Sequence, residues 1–161
     1  MKLSIKNTTF VIAARMISKL LWAIVWFAVA FVAMIIIVPK DANSSQIFLG
    51  FSLTLIPPIL YLVVVAIDAY MYAKSATIEI AENTVNLHAN NLFSRSNNSL
   101  PISQINQANV IQTFIFKLFG VSAVVFSDES GSTNILWGFN YEDAANFLNE
   151  FGSRYKIKIS K

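Results

Sequence analysis

One histidine, His88, no cysteine and nine carboxylates are the groups this chain offers for proton transfer, nucleophilic attack or metal binding. Zinc sites draw on several Cys and His ligands, so a lone histidine cannot complete one. The missing thiols also remove disulfides and thiolate nucleophiles. His88 lies on the polar phase of an alternating stretch in which Val85, Leu87 and Ala89 oppose Asn86, His88 and Asn90. That phase puts it on a surface. A Ser–His–Asp relay needs a nucleophile presented in a recognisable turn, and no such motif accompanies His88. The five glycines are scattered singly, so no glycine-rich loop cradles a phosphate. These residues point away from catalysis and imply no cofactor and no metal.

The groups that remain are apolar and basic, and their chemistry is contact. Residues 114–119 read Phe-Ile-Phe-Lys-Leu-Phe. Read as an extended segment, Phe114, Phe116 and Leu118 form one phase and Ile115, Lys117 and Phe119 the other. One phase fills a core and the other exposes apolar area to a protein or a bilayer. In residues 153–161, Tyr155, Ile157 and Ile159 alternate with Lys156 and Lys158. The basic side suits anionic lipid, and the apolar side suits addition to a sheet edge.

Two long apolar runs must position these groups. Residues 20–38 and 47–67 carry no charge over 19 and 21 residues. As helices each spans about 28–32 Å, which matches a bilayer core. They form a transmembrane helical hairpin, and the first run is too long for the apolar core of a signal peptide. The eight residues between them include Pro39, Lys40 and Asp41. Residues 1–19 carry Lys2, Lys6, Arg15 and Lys19 and no acid. Basic flanks stay on the cytoplasmic side, so both termini are expected there, in a multi-pass protein of a bacterial inner membrane. Trp22 and Trp26 share a helix face and suit the headgroup layer, as do Tyr70 and Tyr72 past the second run. Gly50 and Thr54 form a small-x-x-x-small pair for close helix packing. Pro57 and Pro58 predict a kink. No ionisable group lies within either run, which argues against a proton or ion pathway. The triplet Asn43-Ser44-Ser45 fits a glycosylation sequon, but it falls too near the membrane to weigh.

After the second run the period changes to two. Ile78 and Ile80 alternate around Glu79, and Glu82-Asn83 reads as a hairpin turn before residues 85–90. Further strands are expected over 94–100, 108–113, 121–127 and 133–139, with Asp128 to Ser132 as a hairpin connection. Asn140 then caps a helix with Glu142 and Asp143 in its first turn. Ala144, Phe147, Leu148 and Phe151 give one apolar face, and Gly152 is expected as the left-handed terminator. About six antiparallel strands and one amphipathic helix make a small α+β or all-β domain over 75–152. The organisation is therefore a basic segment 1–19, a hairpin 20–67, this domain and a basic tail 153–161.

Several of these residues form a recognisable set. It comprises Leu100-Pro101-Ile102-Ser103-Gln104-Ile105, then Gln112, then Leu118-Phe119-Gly120 before the strand 121–126, and the closing helix 141–151. The set resembles the bacterial pleckstrin-homology (PH-like) family, in its membrane-anchored form with two N-terminal spans. The resemblance implies a PH-like curved antiparallel sheet capped by a C-terminal helix, and it implies no settled activity. Lipid-binding PH domains hold phosphoinositide with cations around the first hairpin, whereas this hairpin carries Glu82 and no cation. Residues 75–153 hold two cations, Arg95 and Lys117, against seven acids, a net charge of −5. That balance argues against a phosphoinositide pocket and against nucleic acid.

The expectation is a non-enzymatic, membrane-anchored module for assembly or protein-partner binding. The bilayer, further copies of the chain or other membrane proteins are its partners. The competing expectation is a small accessory subunit of a larger transport or secretion complex, with the helices as its interface.

Overall fold

The computed structural model describes residues 1–37 and 43–160. The expected loop residues Pro39, Lys40 and Asp41 and the terminal Lys161 lie outside them. The chain begins with strand β1 (Lys2–Ser4), followed by helices α1 (Thr8–Ile37) and α2 (Ser44–Ser75). Six strands follow, β2 (Thr77–Ala81), β3 (Thr84–Asn90), β4 (Arg95–Pro101), β5 (Ile105–Ile111), β6 (Val121–Asp128) and β7 (Thr133–Asn140). A short helix α3 (Phe114–Leu118) interrupts the series, and α4 (Tyr141–Tyr155) and strand β8 (Lys158–Ser160) close it.

Both long helices start earlier than the uncharged runs, and local capping explains why. The Asn7 side chain accepts a hydrogen bond from the Phe10 amide, satisfying a first-turn donor of α1. At α2, Asn43 Oδ1 accepts from the Gln46 amide at 2.9 Å, while the Asn43 amide donates to Gln46 Oε1 at 3.0 Å. This reciprocal pair is a capping box, and it engages the side chain of the sequon asparagine. Among the described residues, two helices are long and apolar enough to cross a membrane.

The chain divides into two compact units, Arg15–Asp68 and a discontinuous one made of Met1–Ala14 with Ala69–Lys161. In the helical unit, Thr54 is buried and its hydroxyl donates to the Gly50 carbonyl at 2.8 Å within α2. The helix runs from Ser44 to Ser75 through Pro57 and Pro58 without ending. Arg15 and Asp68 form an ion pair at 3.0 Å.

In the other unit, β1 to β4 form one antiparallel sheet in sequential order. The second sheet has the order β7-β6-β5-β8, with β8 parallel to β5. The sheets share one core that includes Ile78, Val85, Val124, Phe126, Phe139, Leu148 and Phe151. β6 is one of the two interior strands of its sheet, and its residues from Val121 to Phe126 are all buried. The hydroxyl of buried Ser122 donates to the Phe139 carbonyl at 3.1 Å, so this polar group carries no desolvation penalty.

Four sequence-based readings change here. Residues 1–14 are part of the sheet unit: Leu3 is buried, and β1 pairs with β2 through Leu3–Ile78. Residues 114–118 are helical, because Thr113 caps them by accepting from the Phe116 amide. Gly152 does not end α4. It is buried inside the helix, whose left-handed terminator is Lys156 at φ 57°. Small size is what position 152 requires: a Cβ there would meet Ile159 Cγ1 at 2.5 Å. The tail does not stand apart, since β8 pairs with β5 through Gln107–Lys158 and Ala108–Ile159.

Candidate functional site

Strand register places the loops of the sheet unit at two poles. At the near pole α1 begins and α2 ends. Ser75, the last residue of α2, is joined to Asn90 at the end of β3: its hydroxyl accepts from the Asn90 amide at 2.7 Å and donates to the Asn90 carbonyl at 3.2 Å. Asn90 pairs with Arg95, so the connection between β3 and β4, which carries Phe93, belongs to this pole. Val121 pairs with Asn140, so the start of β6, with α3 before it, belongs here too. At the far pole are the turn after β2, with Glu82, and the hairpin between β6 and β7, with Asp128 and Glu129.

The near pole is built on a stack of three aromatic rings. Tyr72 lies against Trp137 with ring centres 4.9 Å apart, and Phe116 covers the same indole at 5.5 Å. The Tyr72 hydroxyl donates to the Trp137 carbonyl at 2.9 Å and accepts from the Trp137 amide at 3.1 Å. Tyr72 is therefore a buried member of the core and not an interfacial tyrosine, because α2 runs straight into the domain. Tyr70 is exposed, with the Lys74 ammonium 5.0 Å from its ring centre. Gly138 is the extra residue of a bulge in β7, opposite the step from Ser122 to Ala123, and its φ of 107° suits glycine alone. A Cβ at Gly138 would also strike Ile5 Cδ1 at 2.8 Å.

The helical form of α3 redistributes the Phe-rich segment. Phe116 turns inward onto Trp137. Phe114 and Leu118, four residues apart, share the outward face at 79% and 68% exposure. Phe119 packs on Phe10 at 6.4 Å. A cleft of about 340 Å³ opens there, lined among others by Asn7, Phe10, Leu118, Gly138 and Asn140. The sequence grouped Phe114, Phe116 and Leu118 on one face because it assumed a period of two. The Thr113 cap was the available signal for a helix.

The other sequence-derived candidates are dispersed. Trp22 and Trp26 are exposed on α1, and with Val29, Pro57, Pro58 and Tyr61 they line an apolar groove of about 610 Å³ in the helical unit. Lys156 and Lys158 flank the end of α4 and the β8 edge, and both are exposed. His88 sits on the outer face of β3, with Nδ1 2.9 Å from Asn97 Oδ1. Beside it, the Ser99 hydroxyl donates to Asn86 Oδ1 at 2.8 Å. Among the described residues no three His, Cys, Asp or Glu side chains are placed to hold a metal ion.

Of the titratable groups, Asp128 stands out. Its Oδ1 accepts from the Ser130 hydroxyl at 2.6 Å and from the Ser132 amide at 2.8 Å. These bonds, that of Ser130 foremost, hold its carboxyl below the usual value of 3.8. The contact orders the hairpin between β6 and β7.

The architecture defines a class: a pair of long apolar helices inserted between the first and second strands of a two-sheet domain closed by a helix. No protein-family model, curated protein or solved structure matches the chain.

Proposed function

We propose that the protein is a non-enzymatic module anchored in a bacterial cytoplasmic membrane, with a PH-like domain that binds protein partners or further copies of the chain on the cytoplasmic side. In this reading α1 and α2 cross the bilayer as a hairpin. The observation that carries it is the insertion of the helices within the sheet unit: β1 precedes α1 yet pairs with β2 after α2. Both ends of the hairpin must then return to one folded body on one side. The four cations before residue 20 assign that side to the cytoplasm. The succession of antiparallel strands followed by α4 supports the PH-like reading.

Crosslinking in native membranes, followed by identification of the captured proteins, tests partner binding. Capture through residues of the sheet domain is the expected result. A second reading, an accessory subunit whose helices are the interface, draws on the apolar groove lined by Trp22, Trp26, Pro57, Pro58 and Tyr61. Capture only through those five residues would replace the first reading with the second. A protein monomeric in mild detergent and free of crosslinks at both surfaces would refute both.

A further inference from the structure

Exposed apolar side chains and the two cations of residues 75–153 meet at one pole of the sheet domain. The near pole displays Phe93, Phe114 and Leu118, all more than two-thirds exposed. It also carries Arg95, paired with Asn90 at the start of β4, and Lys117 in α3. Those are the two cations of residues 75–153. Between Glu82 and Asp128 the sequence contains no acid, so the β3–β4 connection and the segment between β5 and β6 are free of carboxylates. The far pole carries Glu82, Asp128 and Glu129, together with Arg154 and Lys156 at the end of α4, where the Tyr155 hydroxyl donates to the Glu82 carbonyl. Residues 75–153, with a net charge of −5, thus place both of their cations in near-pole segments, where Lys6 and Lys74 add to them and the acids are Glu142 and Asp143 at the start of α4, Asp143 being paired with Lys6.

Each near-pole loop is braced against the two long helices. The Phe93 loop is tied through Asn90 to Ser75 of α2. α3 rests through Phe116 on Trp137 and thence Tyr72 of α2, and through Phe119 on Phe10 of α1. Bracing of this kind fixes exposed aromatic side chains in place without covering them.

We propose that the near pole docks on the anionic face of the bilayer, with Phe93, Phe114 and Leu118 inserted among headgroups and Arg95 and Lys117 against lipid phosphates. The occupant is a lipid surface, on two grounds. The charge complements anionic headgroups, and the chain itself delivers this pole to the membrane, since both helices leave from it. The cations are spread over two loops that also carry the apolar side chains, which suits a surface and not a single-headgroup pocket. The proposal rests on the reading that α1 and α2 cross the bilayer.

The full chain contains no cysteine, so single cysteines report cleanly. They are introduced as Phe93→Cys, Phe114→Cys, Glu129→Cys and Val29→Cys and labelled with an environment-sensitive fluorophore. The proteins are reconstituted in vesicles of phosphatidylcholine with phosphatidylglycerol, with and without spin-labelled lipid. Val29 lies within α1 and reports the span itself. The expected result is strong quenching at position 29 by deep spin labels, roughly twofold or greater quenching at 93 and 114 by shallow ones, and none at 129. Neutralising each cation, by Arg95→Gln or Lys117→Gln, weakens the shallow quenching as if docking fell about fivefold per charge, and added salt does the same.

Quenching at 29 with 93 and 114 no different from 129 overturns the docking proposal and leaves the spans intact. No quenching at 29 overturns the spanning reading itself. A blue-shifted signal at 93 and 114 that ignores spin-labelled lipid and fades on dilution of protein in the vesicle assigns the face to a second copy of the chain and overturns the lipid assignment.

Discussion

Phe114 and Phe116 stand two residues apart and are predicted to answer mutation in opposite ways. Phe116 lies half-buried on Trp137, so Phe116→Ser removes a stacked ring and the apolar area beneath it. A fully buried phenylalanine costs about 3–5 kcal/mol to truncate, and partial burial brings the expected loss to about 1–3 kcal/mol. Phe114→Ser and Leu118→Ser act on exposed positions and should stay within about 0.5 kcal/mol of the parent. Thermal unfolding of the three variants in one detergent checks this, and equal destabilisation by Phe114→Ser would show that α3 turns its other face inward. Gly152 makes a second residue-scale case. A methyl group there would meet Ile159 Cγ1 at 2.5 Å and the Ile157 carbonyl at 3.0 Å. Helix propensity favours alanine by roughly 1 kcal/mol, but overpacking costs about 1–3 kcal/mol, so the net effect should be a lower melting temperature. Truncating Ile159 to Ala in the same chain removes the obstructing atom and should recover part of the loss.

Elements were legible in the sequence where one rule governed them. The strands β2 and β3 followed from alternation about the turn at Glu82-Asn83, β6 and β7 from the turn residues 128–132 between two apolar stretches, and α4 from its Asn140 cap and apolar stripe. β1 was not legible, because three residues carry almost no period and its pairing is set by a distant partner, whereas the alternation in the tail suited the edge strand β8 without naming its neighbour β5. α3 was misread for a related reason: in five residues, periods of two and 3.6 differ too little, and only the cap at Thr113 tells them apart. Among the candidate site residues, Trp22 and Trp26 are exposed on α1, while Tyr72 was set outside the domain because charge alone marked the end of the second run. The hairpin between β6 and β7 was legible as a turn, and its chemistry gives a pH prediction. The Asp128 carboxyl titrates below 3.8 when folded, since the Ser130 hydroxyl and then the backbone amides of the turn favour its charged form. A depressed folded value means that the contribution is complete above the unfolded value, and is lost as pH falls through the lower folded one. Amide exchange at Ser132 should therefore stay protected down to about pH 4 and open only in stronger acid. Asp128→Ala should expose that amide at neutral pH, whereas Asp128→Asn, which keeps an acceptor, should protect it without the acid transition. An acid transition persisting in Asp128→Asn would assign the effect to another group.

At the scale of the whole molecule, the placement of β1 turns a statistical topology argument into a mechanical one. Charge counting takes four cations before residue 20 and infers a cytoplasmic start. Strand pairing is independent of that count. Lys2 lies opposite Glu79 and Ser4 opposite Thr77, with Leu3 buried in the shared core. Residues before α1 and after α2 therefore belong to one folded body, and a bilayer cannot pass between them. The first sheet cannot complete its edge until the chain through α2 and β2 has been made, since β1 pairs with β2. Single cysteines at Ser4, Ser44 and Ser153, in a chain with none of its own, test the arrangement. All three positions are exposed, the first in β1, the second at the start of α2 and the third in α4. In sealed cells an impermeant maleimide should label Ser44→Cys alone, and permeabilisation should make the other two reactive. Labelling of positions 4 and 153 with protection of 44 would invert the orientation and overturn the charge argument while leaving the shared fold intact. Labelling of 4 without 153, or the reverse, would place β1 and α4 in different compartments, and the pairing of β1 with β2 could not stand.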